Sequence, residues 1–381
     1  MKKVAIIGAG ISGLFIANLF KKNSNYQITI YEKNTSIAVE EGYGVQLSVN
    51  SIKLLNEIGF KKLQNSEKFT PKKINFYSSD SPNKICELDI ENFNTEDCRY
   101  TTLKRSTLIN FLKKDLENLI KTGYKISKID EHDKQIKLSF ENDETKEYDY
   151  LIISDGVFSK SKSLISNNKA KPKYNNTLAI RGVLTKFPEN IDNNNISLFL
   201  DSDFHHVIYP LNHNGDFNFI AIIKYHLTDE EQKNYSLFKD NSFKKKVLEK
   251  IPLKRNFFFD DLEDLKIFPV FVSDSFYKLQ NKNIHLIGDA FFAFPPSFAQ
   301  GASQSIEGAY ELFKNIEGNT EVNFFKSRVN KTKMVNIRSK FNQFVFHLSN
   351  PLTIIVRNIF LKRLVKNKKF LETYLGKIYK N

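Results

Sequence analysis

Tryptophan is absent from these 381 residues, cysteine occurs twice, and charged residues interrupt every apolar stretch. Each scarcity excludes something. Cys86 and Cys98 form no C-x-x-C, so neither a disulfide scaffold nor a cysteine zinc site is expected. The seven histidines make no H-E-x-x-H. The adjacent pair His205 and His206 would point to opposite faces of a strand, so no metal site is expected. No apolar run reaches the ~18 residues that span a bilayer. The opening MKKVAIIGAGISGLFIANLF runs into Lys21-Lys22-Asn23 rather than a small-residue cleavage site. It is therefore not read as a secretory signal, and a cytoplasmic protein is expected.

What is present suits a folded protein of two domains: 41% hydrophobic residues, with 34 Phe and 16 Tyr as large core side chains. The formal charge of +14 reads either as attraction for an anionic partner or, the favoured reading, as a surface simply written in lysine. No basic run is interleaved with stacking aromatics, so nucleic acid is not an expected partner.

The apolar periodicity alternates between strand and helix. Val4–Ile7 reads as a buried strand, Ile11–Lys21 as a helix and Gln27–Glu32 as a second strand, together a βαβ unit. Asn50–Ile58 reads as a helix stopped by Gly59, and Ser106–Lys121 as one long amphipathic helix. Tyr148–Ser154 reads as a strand, residues 178–224 as β-rich, His285–Ile287 as a strand and Ala302–Phe313 as a helix. The chain from Phe324 onward is largely helical.

Three strand-to-turn motifs carry chemistry. The first is Gly8-Ala9-Gly10-Ile11-Ser12-Gly13, a G-x-G-x-x-G that follows a strand and opens a helix. There Gly8 permits a tight turn, Gly10 lets the backbone approach a pyrophosphate, and Gly13 allows close helix–strand packing. Glu32 ends the next strand, where a carboxylate accepts from a ribose 2′-OH and disfavours a 2′-phosphate; FAD or NAD is implied rather than NADP. The second motif, LIISDGVFSKSKSLI, delivers Asp155-Gly156 into a turn. The third, HLIGDAFFAFPPSFAQGASQSIEGA, delivers Gly288-Asp289, then Pro295-Pro296, then Gly301 and a helix.

This ordered set resembles the single-component FAD-dependent aromatic hydroxylases, flavoproteins like para-hydroxybenzoate hydroxylase and salicylate hydroxylase, along nearly the whole chain. The resemblance implies an α/β fold: a Rossmann-like FAD-binding domain (1–70, 99–170 and 280–330), an inserted β-sheet substrate domain (71–98 and 171–279) and a helical C-terminus (331–381). It implies FAD contact from Gly8, Gly10, Ile11, Ser12 and Gly13, and from Glu32 and Lys33. GYGVQLSVNS resembles the loop beside the flavin, which implicates Gly44 and Val45, and Arg105 matches an FAD-contacting arginine. Asp155, Gly156, Gly288 and Asp289 follow from the second and third motifs, and Gly301, Ala302 and Ser303 from the helix start. The chain departs from the family pattern at Lys162, where arginine is usual, at Phe292, where histidine is common, and at Ser303, where asparagine is frequent.

The implied chemistry needs no triad or metal. NAD(P)H binds transiently and reduces FAD, O2 gives a flavin C4a-hydroperoxide, and a small phenolic or aromatic substrate is hydroxylated. Pro295 and Pro296 match the segment lining the flavin's substrate side. Arg181 reads either as a carboxylate clamp or as a structural arginine. His206 and Tyr209 read as hydrogen-bond partners of a phenol or as ordinary sheet residues. Phe291, Phe292, Phe294 and Phe298 suggest an aromatic-walled pocket, with core packing the alternative. The C-terminal stretch reads as a helical cap or as a peripheral contact with an anionic membrane. Rival readings are a related monooxygenase acting on a non-aromatic lipid, quinone precursor or antibiotic, and an FAD-binding redox protein without turnover. The absence of Trp argues against a flavin halogenase, whose motif contains it.

Overall fold

The β-branched run at the start forms the strand Lys2–Ile7, and it is the centre of a parallel sheet. The computed structural model describes residues 1–37, 43–78, 81–132, 135–165, 171–184, 191–251, 262–318 and 323–379. The strand order of this five-stranded sheet is Ile284–Leu286, Tyr150–Ile153, Lys2–Ile7, Tyr26–Glu32, Ile120–Thr122. Ile6 lies opposite Ile152 on one side and Ile30 on the other. Both faces are covered, as a parallel sheet requires. Val4 and Ile6 pack under the helices Ile11–Lys21 and Gly301–Ile316, where Phe15 and Phe20 are wholly buried. Burying a Phe of this kind stabilises by roughly 1.5–3 kcal/mol. Ala5 and Ile7 face the other way, onto the antiparallel sheet Ile126–His132, Gln135–Phe140, Thr145–Tyr148.

A second sheet of seven strands is ordered Leu262–Val272, Lys173–Leu184, Phe217–Lys224, Phe204–Pro210, Ile196–Asp201, Lys73–Ser78, Ser81–Asp89. Strict alternation divides its faces. Leu178, Ile180, Ile208 and Phe219 pack against the helix Asn241–Glu249 through Phe243 and Val247. Leu198, Tyr209 and Ile220 face the opposite way, toward the C-terminal helices Phe324–Phe346 and Pro351–Leu364. A small sheet, Gly44–Leu47, Thr101–Lys104 and Lys68–Phe69, touches the seven-stranded sheet at Phe204–Pro210 and Phe217–Lys224 and the helix Gly301–Ile316. Asn323 and Asn350 cap the C-terminal helices by accepting from the N–H groups of Lys326 and Leu352, and Pro351 takes the first helical turn of the second.

Two expected elements are corrected. The helix expected over Ser106–Lys121 is Arg105–Lys113, and Ile120–Thr122 is instead the edge strand of the parallel sheet, opposite Ile30–Glu32. Apolar spacing cannot separate a helix from a short strand that follows it when tertiary pairing decides. The strand expected over Tyr148–Ser154 is split at Asp149, whose N–H donates to the Lys3 carbonyl at 2.9 Å. Thr145–Tyr148 and Tyr150–Ile153 thereby enter different sheets.

Candidate functional site

The glycine turn is built for close approach. Gly8 has φ +97°, and a Cβ there would lie 2.6 Å from the Ser154 carbonyl oxygen. A Cβ on Gly13 would strike the Gly8 carbonyl and come within 2.5 Å of Ser154 Oγ. At Gly288, φ +59°, a Cβ would meet Ser12 Oγ at 2.5 Å. The strand ends of all three motifs therefore meet with only the small Ser154 and Ser12 side chains between them, Ser154 Oγ donating to the Ile7 carbonyl at 2.7 Å. Around Gly10 a Cβ would find open space, at the start of the Ile11–Lys21 helix. The first intrahelical bond there runs from Leu14 N–H to the Gly10 carbonyl, so the amides before it are available to an anion.

Glu32 stands beside this turn, accepting from Ala9 N–H at 3.1 Å and from Asn34 N–H at 3.0 Å. Lys33 next to it is exposed. Asp155 Oδ2 accepts from Ser161 N–H at 3.2 Å, while its Oδ1 is buried with no hydrogen-bond partner among the described residues. Gly156 turns the chain at φ +85°. Burial lowers the Lys162 pKa, and the charge of Asp155 opposes that shift.

Beyond the glycine turn opens a cavity of about 870 Å³. One end is walled by Gly44, Val45 and Gln46, by Asp289, by Pro296, and by Gly301 and Ala302 at a helix start. Gly44 cannot carry a side chain, since a Cβ would come within 2.8 Å of both Asn218 and Tyr209. Asp289 is open to the void yet deep in the protein. Removal of its carboxyl from bulk water pushes its pKa up to about 6, and Arg105 pulls the other way. Arg105 donates its N–H to the Tyr43 carbonyl at 3.0 Å.

The sheet wall of the cavity presents Arg181, His205 and Tyr209. The Arg181 guanidinium lies over the Tyr43 ring, 5.7 Å from its centroid. Burial lowers its pKa, with Tyr209 and Tyr43 opposing. Burial pushes the Tyr209 phenol well above its ordinary value, Arg181 and a hydrogen bond with Gln46 pulling it back. Gln46 Oε1 also accepts from the Tyr100 hydroxyl at 2.7 Å. His205 Nδ1 and His347 Nε2 are 2.7 Å apart and buried, so one of the two carries the shared proton. Burial holds both imidazoles below their ordinary pKa, His347 at about 4.

Three expectations need correction, and the two alternatives for the four phenylalanines divide between them. His206 faces away from the cavity: its ring is stacked on Phe199 at 4.4 Å and on Phe219 at 5.6 Å, inside the opposite core. His206 and Tyr209 are three positions apart on one strand, and odd separations put side chains on opposite faces. Pro296 lines the cavity, whereas Pro295 is buried without lining it. Ser303 is buried, its hydroxyl accepting from Ser48 N–H at 3.1 Å and lying 3.0 Å from Ser51 Oγ, so only its main chain remains for a ligand. Phe294 and Phe298 line the cavity, but Phe291 and Phe292 belong to the core, where Phe276 stacks on Phe292 at 4.3 Å. Sequence reasoning missed His205, Gln46 and His347. The parity of His205 with Tyr209 was the available signal for the first.

These features fit a flavin dinucleotide. Open space over a helix start, a carboxylate at the end of the second strand, an orphaned buried Asp155 oxygen and the Asp289 carboxylate in the cavity wall are the partners that such a ligand needs. Residues 1–318 match the family described as "FAD binding domain". Among curated proteins, a 6-hydroxynicotinate 3-monooxygenase of Bordetella bronchiseptica is 22% identical over 330 residues, 83% of this chain and 82% of that protein. Among solved structures, HpxO of Klebsiella pneumoniae complexed with FAD and uric acid superposes with TM-score 0.79 at 15% identity, covering 98% and 97% of the two chains. A salicylate hydroxylase substrate complex superposes with TM-score 0.74 at 18% identity, covering 100% of this chain and 95% of that one.

Proposed function

The chain belongs to the FAD-binding-domain family and is an FAD-dependent oxidoreductase; from that premise we propose that it is a monooxygenase hydroxylating a phenolic or related aromatic small molecule with NAD(P)H and O2. One observation carries this reading. The same cavity holds the flavin-side residues Gly44–Gln46, Asp289 and Pro296 at one end and Arg181, His205 and Tyr209 on the sheet wall. In this reading residues 1–70, 99–170 and 280–330 bind FAD, and 71–98 with 171–279 bind the substrate.

Bound flavin, once reduced, supplies activation of O2 and transfer of one oxygen atom. The protein's part is to bind, orient and exclude water. The Ile11–Gly13 amides and Glu32 hold the adenosine diphosphate half, while Asp155 and Asp289 serve the hydroxyl chain. Tyr209, protonated at neutral pH, donates to or accepts from a substrate hydroxyl. Arg181 beside it favours an anionic substituent or a phenolate. When His205 Nδ1 donates to His347, its Nε2 is an acceptor on the cavity side and orients the ring hydroxyl. Phe294, Phe298 and the aliphatic wall keep water away from the reacting atoms.

The cavity's size and apolar lining favour one variation, a ring carrying an apolar substituent such as a quinone precursor has. Anaerobic mixing of the FAD-loaded protein with NADH or NADPH tests the reading. Bleaching of the flavin band that one phenol accelerates, followed in air by a hydroxylated product, supports it. A flavin that neither donor bleaches with any phenol of the panel sinks it and leaves the redox protein without turnover.

A further inference from the structure

Between Phe324 and Leu371 the chain carries twelve Lys and Arg and no Asp or Glu, against a net charge of +14 for the whole chain. Arg328, Lys331 and Arg357 are buried. Lys362, Arg363, Lys366, Lys368 and Lys369 are exposed at and beyond the end of the second C-terminal helix. The same two helices bear eight exposed large apolar side chains. Ile337, Phe341 and Phe344 follow one another on the first; Leu352, Ile355, Val356, Ile359 and Phe360 form a stripe on the second. Leu352 is 73% exposed and Phe344 66%, so these are not rim residues of a core. The second helix thus turns apolar residues outward, against the ordinary arrangement for a helix facing water. Five of the eight, Phe341, Phe344, Leu352, Val356 and Phe360, also line the cavity, so the patch and the cavity mouth are one surface.

We propose that this surface docks on the headgroup region of an anionic lipid bilayer, with the cavity mouth turned toward the acyl chains. The apolar stripe matches the acyl boundary, and the basic cluster at the helix end matches anionic headgroups. The contact is peripheral, because among the described residues no helix is long and apolar enough to cross a membrane. A second copy of the chain suits the patch less well: an isologous pairing would bring two basic stretches together, neither offering an acid. The nucleic-acid alternative lacks a reason for the outward Leu352, Ile355, Val356 and Ile359, since strand binding uses stacking rings.

The test uses the full FAD-loaded chain with phosphatidylcholine vesicles and with vesicles containing about 30% phosphatidylglycerol. Co-sedimentation with the anionic vesicles, at least about tenfold stronger than with the neutral ones, is expected. The triple variant Ile337→Glu, Ile355→Glu, Ile359→Glu alters only exposed positions that do not line the cavity. It should lose binding at least about tenfold while keeping flavin content, circular dichroism and reduction by NAD(P)H. Glutamine at Lys362, Arg363, Lys366, Lys368 and Lys369 should abolish the preference for anionic lipid. Absence of vesicle binding by the native chain overturns the proposal, as does unchanged binding by the folded triple variant. A native dimer that this variant converts to monomer also overturns it and assigns the patch to a second copy. None of these outcomes depends on which substrate is hydroxylated.

Discussion

Individual positions in this site are decided by distances of a few tenths of an ångström and by strand parity. Gly13 is hemmed in by the Gly8 carbonyl and by Ser154 Oγ, 2.5 Å from where a Cβ would stand. Gly13→Ala should therefore cost about 1–3 kcal/mol and part the helix from the strand. Thermal unfolding and the flavin-to-protein absorbance ratio would both fall. Parity separates His206 from its neighbours. His206→Phe preserves the stack between Phe199 and Phe219 and leaves the cavity wall untouched, so turnover should survive, whereas Tyr209→Phe should weaken binding of a phenol roughly tenfold. The pH dependence has a definite sign. Burial depresses the His206 pKa to about 3 from its ordinary 6.5. Its contribution to stability is thus complete above pH 6.5 and lost as pH falls toward about 3. Acid titration of His206→Phe should show unfolding displaced to lower pH than in the native protein.

Among elements, the helix Gly301–Ile316 holds the architecture of the site together. Its N-terminus lines the cavity, and its buried Glu307 is joined to Arg328 of the following helix at 3.1 Å and to Asn50 at 2.5 Å. Lys331 lies 3.4 Å from the same carboxylate, and Arg328 also reaches Gln304 at 2.8 Å and Glu311 at 3.3 Å. Removing one partner leaves a buried charge without its strongest counter-charge. Arg328→Met should accordingly destabilise by about 3–5 kcal/mol, and adding Glu307→Gln should recover part of that loss. Denaturant unfolding of the single and double variants measures both. Helix and strand identities were largely legible in apolar periodicity, as for Ile11–Lys21, which is found with the expected bounds. The segment after Lys113 was not, because Ile120–Thr122 becomes a strand only by pairing with Ile30–Glu32, more than eighty residues away in sequence.

The whole molecule is two large sheets with a cavity between the parallel sheet's strand ends, one face of the seven-stranded sheet and the C-terminal helices. A dinucleotide that binds only the folded chain adds stability by mass action, about 2.7 kcal/mol at a hundredfold excess over Kd. Melting of the stripped protein should therefore rise steadily with added FAD. A melting temperature indifferent to FAD would contradict the assignment of the Gly8–Gly13 turn. NADP, whose 2′-phosphate would face Glu32, should give no comparable rise.

The sequence by itself determined the glycine turn between strand and helix, the place of Glu32 at the end of the second strand and the order of the three motifs. Those depend on glycine sterics and on strand-to-helix transitions within short segments. Which side chains face the cavity was decided only by tertiary structure. His205 rather than His206 lines it because the pleat of one strand, set by its neighbours, turns alternate residues inward. His347 reaches His205 because the helix Phe324–Phe346 ends against that sheet. The outward apolar stripe of Pro351–Leu364 belongs to the same class: periodicity reports that a helix has an apolar face, and only packing decides whether that face is covered.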